Sequence, residues 1–404
     1  MNTKCYIFFT NGIIDLGGIE LYLVNKELWL KQNDWDVHVF SASYTKNNFK
    51  IKSLEKYRNE IFPTLSYAPY ECPKICYNKT IKNILKLLGD TNKYKEIIIE
   101  SHSGSTAIWA EIIAKNINAI HIMQPLHEVY NEKCYVEKRD FFIFKLNRKE
   151  IYGGRITFIR DVLKENTSKW QNLRLQYNPV LDVDDERLLK IQNANYTICY
   201  FGRTAKPYYK SILEGVREFA DMHVDKNIQL VVVGNEKDHK NVMKQLNMHA
   251  DNLIITVLGE MFPVPRKLFE LVDVVCAGAG SANAAVFENV PVLIPDPDNY
   301  LCNGLYGYDT CSPLTREANI KQLRFCDAFE NTLIKCEYQK NNFLLDVPPS
   351  VNDCCKEVYN SIKTNKQKNE YYDVDKLVVG NANFKKKFGV LVRIIKKEFN
   401  LFTC

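Results

Sequence analysis

Short apolar runs alternate with amphipathic stretches along this chain, and the first such unit lies near the N-terminus. Residues 5–9 (CYIFF) form an apolar run short enough to be a buried strand. Leu21, Val24 and Leu28 then recur at helical spacing, and residues 35–40 (WDVHVF) alternate as a second strand does. This pattern predicts a strand–helix–strand unit.

The same alternation continues through both halves of the chain. In the first half, strands are predicted at 97–99, 120–123 and 156–159, and a helix over 107–117. The second half restarts the pattern with apolar runs at residues 197–201, 230–233, 253–255, 274–276 and 292–294. Continuous apolar runs are typical of parallel strands covered on both faces. We therefore expect an α/β protein built of two doubly wound, Rossmann-like domains facing a central cleft.

The boundary between the two halves is predicted near residues 177–180 (YNPV). A proline follows a strand there, and an acidic segment, 182–186, comes next. A chain of 404 residues is too long for one core. We expect one domain over 1–180, a second over 181–365, and a basic amphipathic tail over 366–404.

The composition is that of a globular protein, with 46% hydrophobic and 25% charged residues. No apolar stretch reaches the length of a bilayer span, and the N-terminus lacks a signal-peptide pattern, so a cytoplasmic location is expected. The 13 cysteines are scattered without a CxxC pair. They are therefore expected to be reduced thiols, neither disulfides nor metal ligands.

The C-terminal tail concentrates the positive charge. Residues 384–404 carry six basic residues and one acid, which gives +5 of the net +6. A helix there would carry an apolar stripe made of Phe384, Phe388, Leu391, Val392, Ile395, Phe399 and Phe402. Such a helix suits an anionic membrane surface over 384–402, which would make the protein peripheral to the inner face of a membrane. It equally suits docking on the protein's own surface.

Two glycine turns follow predicted strands and are candidate phosphate sites. The first contains Gly17 and Gly18, between the first strand and the first helix. The second follows the strand 274–276 and contains Gly278, Gly280, Ser281, Ala282 and Asn283. Small residues at a helix start leave its backbone N–H groups open to an anion. The alternative is close packing of helix on strand.

Two basic residues follow the strand 197–201. Arg203 and Lys206 lie where ligands of open α/β sheets bind, beyond the carboxyl ends of the strands. Their charge suits a diphosphate leaving group, whose negative charge grows as a glycosidic bond breaks. The alternative is a solvated basic loop.

Two histidines lie at predicted carboxyl strand ends in the first half. His102 follows the strand 97–99 and His127 follows the strand 120–123, so either is a candidate to polarise or deprotonate a sugar hydroxyl. His121 and His38 fall within strands and are expected to be structural.

Taken in order, these segments resemble GT-B glycosyltransferases, most closely family 4, over roughly residues 5–365. Residues 17–20 (GGIE) match the family's GGxE loop, and 178–180 (NPV) match the segment that closes its first domain. Arg203 with Lys206 resembles the GR…K element. The segments 273–275 and 289–293 resemble the strands that bracket the donor helix.

The resemblance implies an acceptor-side first domain and a second domain that binds a nucleotide-diphosphate sugar. Gly17 and Gly18 would approach the donor diphosphate or the acceptor, while Arg203 and Lys206 would neutralise the diphosphate. His127 would lie beside the reacting sugar, with Gln124 or His102 as alternatives. Retention of configuration is also implied by the family.

One departure from the family concerns its paired glutamates, of which the second grips the donor ribose. Alignment on Pro291 puts Cys276 and Ala284 at those positions, and Glu288 is expected to lie at the surface or to cap the helix. Donor binding would then depend on the backbone of 278–283, unless the donor differs or the activity is lost.

The leading hypothesis is a metal-independent hexosyltransferase for a glycan or polyprenyl-linked acceptor in cell-surface polysaccharide synthesis. It needs no cofactor, because the nucleotide sugar is a co-substrate, and no nucleic acid partner is expected. The rival hypotheses are a nucleotide-sugar epimerase and a non-catalytic GT-B partner subunit. The missing glutamates favour the second rival.

Overall fold

The computed structural model describes residues 4–15, 17–43, 48–126, 133–153, 158–171, 179–235, 242, 251–313, 317, 320–336, 351–365, 370–378, 387–394 and 396. The chain divides into two compact units, each described here by itself. The first unit comprises Met1–Tyr177 together with Pro349–Cys404, and the second comprises Asn178–Pro348.

The first unit is built on a parallel sheet with the strand order β2-β1-β3-β4. Its strands are β1 Lys4–Thr10, β2 Trp35–Ser41, β3 Glu96–Ser101 and β4 Ile120–Met123. Its helices before the boundary are α1 Gly18–Gln32, α2 Lys74–Leu88, α3 Gly104–Ile117, α4 Lys133–Glu137 and α5 Arg139–Asn147. Short 3-10 helices at Lys52–Glu60, Pro63–Ser66 and Pro69–Glu71 connect β2 to α2.

The register of this sheet brings three strand ends level with one another. Phe9 pairs with Ser101, and Ser101 pairs with Met123. Side chains alternate between the two faces of a strand. The residues that directly follow these positions, Thr10, His102 and Gln124, therefore form a row across the carboxyl edge of the sheet.

The second unit contains a larger sheet with the strand order β12-β11-β10-β6-β7-β8. Its strands are β6 Tyr196–Phe201, β7 Ile228–Val233, β8 Leu253–Gly259, β10 Val274–Cys276, β11 Val292–Pro295 and β12 Cys302–Leu305. All neighbours are parallel except β12, which runs antiparallel to β11. A separate pair joins β5 Val180–Leu181 to β9 Val264–Pro265.

The helices of the second unit cover its sheet on both faces. They are α6 Tyr208–Met222 and the helices Lys267–Glu270, Ala279–Phe287 and Phe325–Phe329. Apolar side chains of β6, β7 and β10 alternate between two buried clusters, one containing Ile198 and Val232 and the other Cys199 and Val231. Burial on both faces explains why these strands are continuous apolar runs in the sequence.

One predicted strand is wrong in its described part. Residues Phe158–Val162 form a π-helical turn instead of a strand, and Phe158 and Ile159 are buried in it. A short apolar run fits a buried helical turn as well as a strand, so periodicity cannot separate the two.

The C-terminal part of the chain belongs to the first unit, which corrects the predicted second domain of 181–365. Tyr359, in the helix Val351–Thr364, lies edge-on to Trp35 with ring centroids 5.6 Å apart. Its hydroxyl donates to Glu96 Oε2 at 3.0 Å, and Lys363 Nζ lies 2.9 Å from Glu96 Oε1. The apolar face of this helix predicts that it packs against other elements, but the sequence does not show whether those elements belong to the first or the second unit.

The predicted tail of 366–404 also packs on the first unit where it is described. Leu377, in the helix Val374–Val378, is fully buried in the first unit's core, as are Val390 and Ile394 of the helical residues 387–394. Phe388, which belongs to the predicted apolar stripe, is 56% exposed, whereas Phe384, Ile395, Phe399 and Phe402 lie outside the described side chains. One side of this helix is therefore docked on the first unit, and contact of the exposed side with a membrane stays a prediction.

In the described segments, no helix is both long and apolar enough to cross a bilayer.

Candidate functional site

The basic turn of the second unit follows β6. Gly202 N donates to Val233 O at 3.0 Å, and Tyr200 Oη donates to Arg203 O at 2.7 Å. The side chain of Arg203 is exposed and that of Lys206 is half-buried. Neither forms an ion pair with any residue that the structure describes. Both positive charges are therefore available to an anion.

The ends of β6 and β7 approach each other so closely that a side chain is excluded. A Cβ atom on Gly234 would lie 1.9 Å from the Gly202 carbonyl oxygen. Just beyond, Asn235 Oδ1 accepts hydrogen bonds from Thr204 N at 2.7 Å and from Thr204 Oγ1 at 3.0 Å. The loop that carries Arg203 and Lys206 is thus held to its neighbour by backbone contact and by one amide side chain.

The glycine turn of the second unit lies beside this basic turn. Gly278 is the N-cap of the helix Ala279–Phe287, and a Cβ atom on it would lie 3.6 Å from Tyr208 Oη. Tyr208 is the first residue of α6, two positions after Lys206. Because β10 and β6 are adjacent strands, their carboxyl ends place the two turns next to each other.

The backbone at the start of this helix is strained. Ala279 has a φ of +53°, which is uncommon for a residue with a side chain, and its N–H donates to Pro313 O at 2.7 Å. Such conformations concentrate at functional sites. The following amides of Gly280, Ser281 and Ala282 belong to the first helical turn, where an α-helix leaves its N–H groups without partners of its own.

The residues of this turn differ in burial. Ala282 is fully buried, as close packing requires, while Gly280 and Ser281 are half-buried. Asn283 Oδ1 accepts a hydrogen bond from Tyr306 Oη at 3.1 Å. The packing alternative and the anion-binding alternative are therefore compatible with each other.

The positions at which the resembling family carries glutamates are core positions here. Cys276 and Ala284 are both fully buried among apolar side chains. A carboxylate at either place would be a buried charge. Glu288 is the C-cap of the helix and forms an ion pair with Arg266, as expected for a cap.

In the first unit, the structure buries one of the two candidate catalytic histidines. β3 extends to Ser101, so His102 lies at the edge of the sheet with no exposed surface, and its Nε2 is 2.9 Å from Glu100 Oε1. The expectation that His102 faces an open cleft from a loop is therefore corrected, because the strand is longer than its apolar run. His127 lies outside the described residues.

Gln124, the alternative named for the sugar-facing position, is also fully buried. Its Oε1 lies 2.6 Å from Tyr22 Oη, and its amide nitrogen has no hydrogen-bond partner among the described residues. Gln124 and His102 thus form a pair of buried polar side chains beside Tyr22 of α1, at the carboxyl edge of this sheet.

Sequence reasoning missed the charged network below this row. The Glu100 carboxylate accepts a hydrogen bond from Tyr6 Oη at 2.5 Å and forms an ion pair with Lys26 of α1. Tyr22 Oη lies 2.7 Å from Glu100 Oε1. Burial alone would raise the pKa of Glu100, but the charge of Lys26 and the hydrogen bond from His102 outweigh it and lower that pKa to about 2. The signal in the sequence was a lysine on the buried side of α1.

A second buried network lies on the other face of the sheet. His121 Nδ1 lies 2.6 Å from Glu111 Oε2, and Lys145 Nζ lies 3.1 Å from the same oxygen. Burial and the charge of Lys145 lower the pKa of His121 to about 4, so it is neutral near pH 7. The remaining oxygen of Glu111 accepts the Tyr372 N–H at 2.9 Å. His121 is thus structural, as predicted, and so is His38, whose Nδ1 lies 2.7 Å from Glu60 Oε1.

The first glycine turn is organised around Glu20. Gly17 is the N-cap of α1 and Gly18 is the exposed first residue of the helix. A Cβ atom on Gly17 would lie 2.9 Å from Glu20 Oε2. The absence of a side chain at Gly17 therefore leaves the space that the Glu20 carboxylate occupies.

Within the described segments, no three His, Cys, Asp or Glu side chains are grouped so that they could hold a metal ion.

No protein-family model and no curated protein matches this sequence. Solved structures do match its fold. A glycosyltransferase from Rickettsia africae ESF-5 aligns with a TM-score of 0.56 at 13% identity, over 98% of this chain and 99% of that one. The Anabaena protein HepE, solved in complex with UDP, aligns with a TM-score of 0.52 at 11% identity over 97% and 100%. A UDP-N-acetylglucosamine 2-epimerase aligns with a TM-score of 0.54 at 9% identity over 92% and 98%.

These likenesses extend over nearly the whole of each chain. At 9–13% identity they establish the fold and nothing finer. The chain has the predicted α/β fold of the GT-B class, with two Rossmann-like domains.

Proposed function

We propose that the protein is a glycosyltransferase that uses a nucleotide-diphosphate sugar as its donor. The observation that carries this proposal is the pair of adjacent turns in the second unit, where Arg203 and Lys206 have no carboxylate partner among the described residues and lie beside the strained Gly278 turn. Fold relatives support it, because one is named a glycosyltransferase and HepE was crystallised with UDP and with UDP-glucose.

In this proposal the second unit binds the diphosphate. Arg203 and Lys206 neutralise the negative charge that grows on the leaving group, and the backbone amides of Gly280 to Asn283 bind its oxygens. These groups replace a metal ion, so the reaction should proceed in the presence of a chelator. Since Cys276 and Ala284 are core residues, the donor is gripped through the backbone and not through the glutamates of the resembling family.

The first unit is proposed to take the acceptor, a glycan or a polyprenyl-linked sugar, in cell-surface polysaccharide synthesis. Its carboxyl sheet edge carries the buried polar groups of Gln124 and His102, and the Gly17–Gly18 turn, in which Gly18 is exposed, lies at the same edge. His127 remains the proposed partner of the reacting sugar by resemblance, as does retention of configuration. A polyprenyl-linked acceptor would require the enzyme to work at the cytoplasmic face of a membrane.

Two other functions are each favoured by one observation. A nucleotide-sugar epimerase is favoured by the UDP-N-acetylglucosamine 2-epimerase among the fold relatives. A non-catalytic partner subunit is favoured by the burial of Cys276 and Ala284, which removes the expected ribose ligands.

One experiment separates the three functions: the full chain is incubated with a panel of UDP-, GDP- and CMP-linked sugars, with and without EDTA. Slow release of nucleotide without an added acceptor, unaffected by EDTA, is the result expected for a transferase. Interconversion of the sugar without release would replace the proposal with an epimerase. Silence across the panel, with no heat of binding for any nucleotide, would overturn both enzyme assignments.

A further inference from the structure

Glu20 is a buried carboxyl group that the proposed function has not used. It is the third residue of α1, is 8% exposed, and forms no ion pair with any residue in the described part of the chain. By contrast, the other buried glutamates of this unit have cationic partners: Glu27 pairs with Lys31 and Lys56, and Glu100 with Lys26. A buried carboxylate without a cationic partner lowers the free energy of unfolding, and such groups are concentrated at functional sites.

The two glycines around Glu20 define the place that its oxygens occupy. A Cβ atom on Gly17 would lie 2.9 Å from Oε2, and one on Gly12 would lie 3.4 Å from Oε1. Gly12 belongs to the loop that follows β1, and Gly17 precedes α1. The carboxyl group therefore lies between the loop after β1 and the start of α1, at the carboxyl edge of the sheet, where open α/β sheets bind ligands.

The surroundings of Glu20 favour its protonated form. Burial raises its pKa to about 7; the hydrogen bond from its own backbone N–H opposes this, and the negative charge of Asp15 adds to it. The other neighbours at the glycines are neutral, with Ser43 Oγ 4.0 Å from the Cβ position of Gly12. A carboxyl group that titrates near neutral pH is suited to accept a proton from a hydroxyl group.

We propose that Glu20 is the group that binds a hydroxyl of the acceptor and takes its proton during sugar transfer, an assignment that rests on the proposed function. In that step the hydroxyl proton moves to the Glu20 carboxylate as the hydroxyl oxygen bonds to the anomeric carbon of the donor on the face from which the diphosphate leaves, so that the configuration is retained. The bond from that carbon to the diphosphate oxygen breaks, and its electron pair leaves with the nucleotide diphosphate.

A purely structural role is the alternative. A glutamate three residues after an N-cap often reaches back to the N-cap amide, and Glu20 is three residues after the N-cap Gly17. Glu20→Gln tests this directly, because glutamine can make the same capping bond yet cannot take a proton. Glu27→Gln is the matched control, since it removes a buried carboxylate from the same helix.

The test uses the full chain and the donor that the nucleotide-sugar panel identifies, with water as the acceptor and nucleotide release as the readout. The parent rate should rise with pH through a limb near 7, because only the ionised Glu20 accepts a proton. Glu20→Gln should lose at least about a hundredfold in kcat and lose that limb, the scale for a missing general base, while the nucleotide Kd stays unchanged. Glu20→Asp should recover part of the rate, and Asp15→Asn should move the limb to lower pH.

The outcomes separate the two assignments. A parent protein that releases no nucleotide from any donor overturns the proposed function and this inference with it. An active parent whose rate and pH limb are retained in Glu20→Gln overturns the inference alone. Equal losses in Glu20→Gln and Glu27→Gln, both with raised KM and an unchanged pH limb, would identify a structural role and overturn it as well.

Discussion

The two units share a Rossmann-like design but place their charges in opposite ways. In the first unit the described buried residues include Glu20, Lys26, Glu27, Glu100, His102, Glu111, His121, Lys145 and Arg148. In the second unit the charged residues with described buried side chains include Asp296 and the ion-paired Glu288, and Arg203 is exposed at a strand end. The first unit thus holds fixed charges inside, whereas the second presents charge and backbone amides to solvent.

This difference fits two kinds of ligand. Charges held in a low-dielectric interior carry a desolvation penalty, but their interactions are strong and fix their orientation. Such charges are suited to positioning a proton or a neutral hydroxyl group. Exposed cations beside backbone N–H groups suit a charged diphosphate, which brings its own strong field. The comparison predicts that charge removal in the first unit affects stability and that charge removal in the second affects binding.

The largest effect is expected at Lys26 of the first unit. Lys26→Met would leave the Glu100 carboxylate buried without its cation, which destabilises a protein by about 3–5 kcal/mol. The pKa of Glu100 is lowered in the folded state, so the stability that this group contributes is present above its ordinary pKa and is lost as pH falls towards 2. Urea unfolding of the parent and the variant between pH 7 and pH 3 measures both effects.

Lys363→Met is the matched control for Lys26. Lys363 pairs with Glu96 but is 38% exposed, so its loss should change stability by less than about 1 kcal/mol. Equal losses from the two variants would contradict the distinction between buried and exposed charge on which the comparison depends.

The next effect belongs to the second unit and should appear in binding. Arg203→Ala removes an exposed cation that has no ion-pair partner in the described part of the chain. It is expected to weaken nucleotide diphosphate binding by about 1.5–3 kcal/mol, the scale of hydrogen bonds to charged groups. Its unfolding free energy should stay within about 0.5 kcal/mol of the parent, as for other surface changes. Isothermal titration calorimetry with UDP and GDP measures the first value and urea unfolding the second.

Lys210→Ala is the control for Arg203, since Lys210 is 72% exposed on α6 and pairs with Glu214. An unchanged dissociation constant for Arg203→Ala, or an equal loss for Lys210→Ala, would remove Arg203 from the proposed diphosphate site.

Much of the fold could be predicted from the sequence because both sheets are buried and, apart from β12, parallel. The apolar runs at 230–233 and 274–276 correspond closely to β7 and β10, and the Gly278 turn falls where it was expected. The C-terminal helices could not be assigned, because an amphipathic helix such as Val351–Thr364 shows which face packs but not on which sheet.

The candidate site was less predictable, for a physical reason. Glu100 lies at the end of an apolar strand, and its partner Lys26 is 74 residues away in the sequence, so no local pattern joins them. His102 was expected in a loop because the apolar run stops at residue 99, yet the strand continues through Glu100, whose charge is neutralised within the core. A charged residue that is neutralised by an ion pair within the core can therefore belong to a buried strand, although its sequence pattern predicts a loop.

A smaller effect is expected where the two strand ends of the second unit meet. Gly234→Ala would place a methyl group 1.9 Å from the Gly202 carbonyl oxygen, and the backbone would have to shift at a loss of about 1–3 kcal/mol, as for overpacked sites. Because Gly202 precedes Arg203, nucleotide binding should weaken too. Thermal unfolding and calorimetry measure the two effects.

Gly389→Ala is the control, because a Cβ atom there meets nothing within 4 Å and the residue lies in a helix of the first unit. It should stabilise the protein by about 0.4–1 kcal/mol. A neutral Gly234→Ala would show that the strand ends are not held by the close approach described above.

The smallest effect is expected on the exposed side of the C-terminal helix, whose two sides differ as the two units do. Val390 and Ile394 are buried in the first unit's core, while Phe388, Arg393 and Lys396 are exposed. If the exposed side binds anionic lipid, each cation contributes about 1 kcal/mol, so Arg393→Gln and Lys396→Gln should each weaken sedimentation with phosphatidylglycerol vesicles about fivefold.

Added salt should weaken the binding of the parent in the same direction, because the attraction is screened. Lys210→Gln, which changes an exposed lysine in the second unit, should leave vesicle binding unchanged. The buried side gives the opposing prediction: Ile394→Ala should lower the unfolding free energy by about 2–5 kcal/mol whether or not lipid is present, since it removes core packing. A parent that does not sediment with anionic vesicles, together with that loss in Ile394→Ala, would make docking the whole role of this helix.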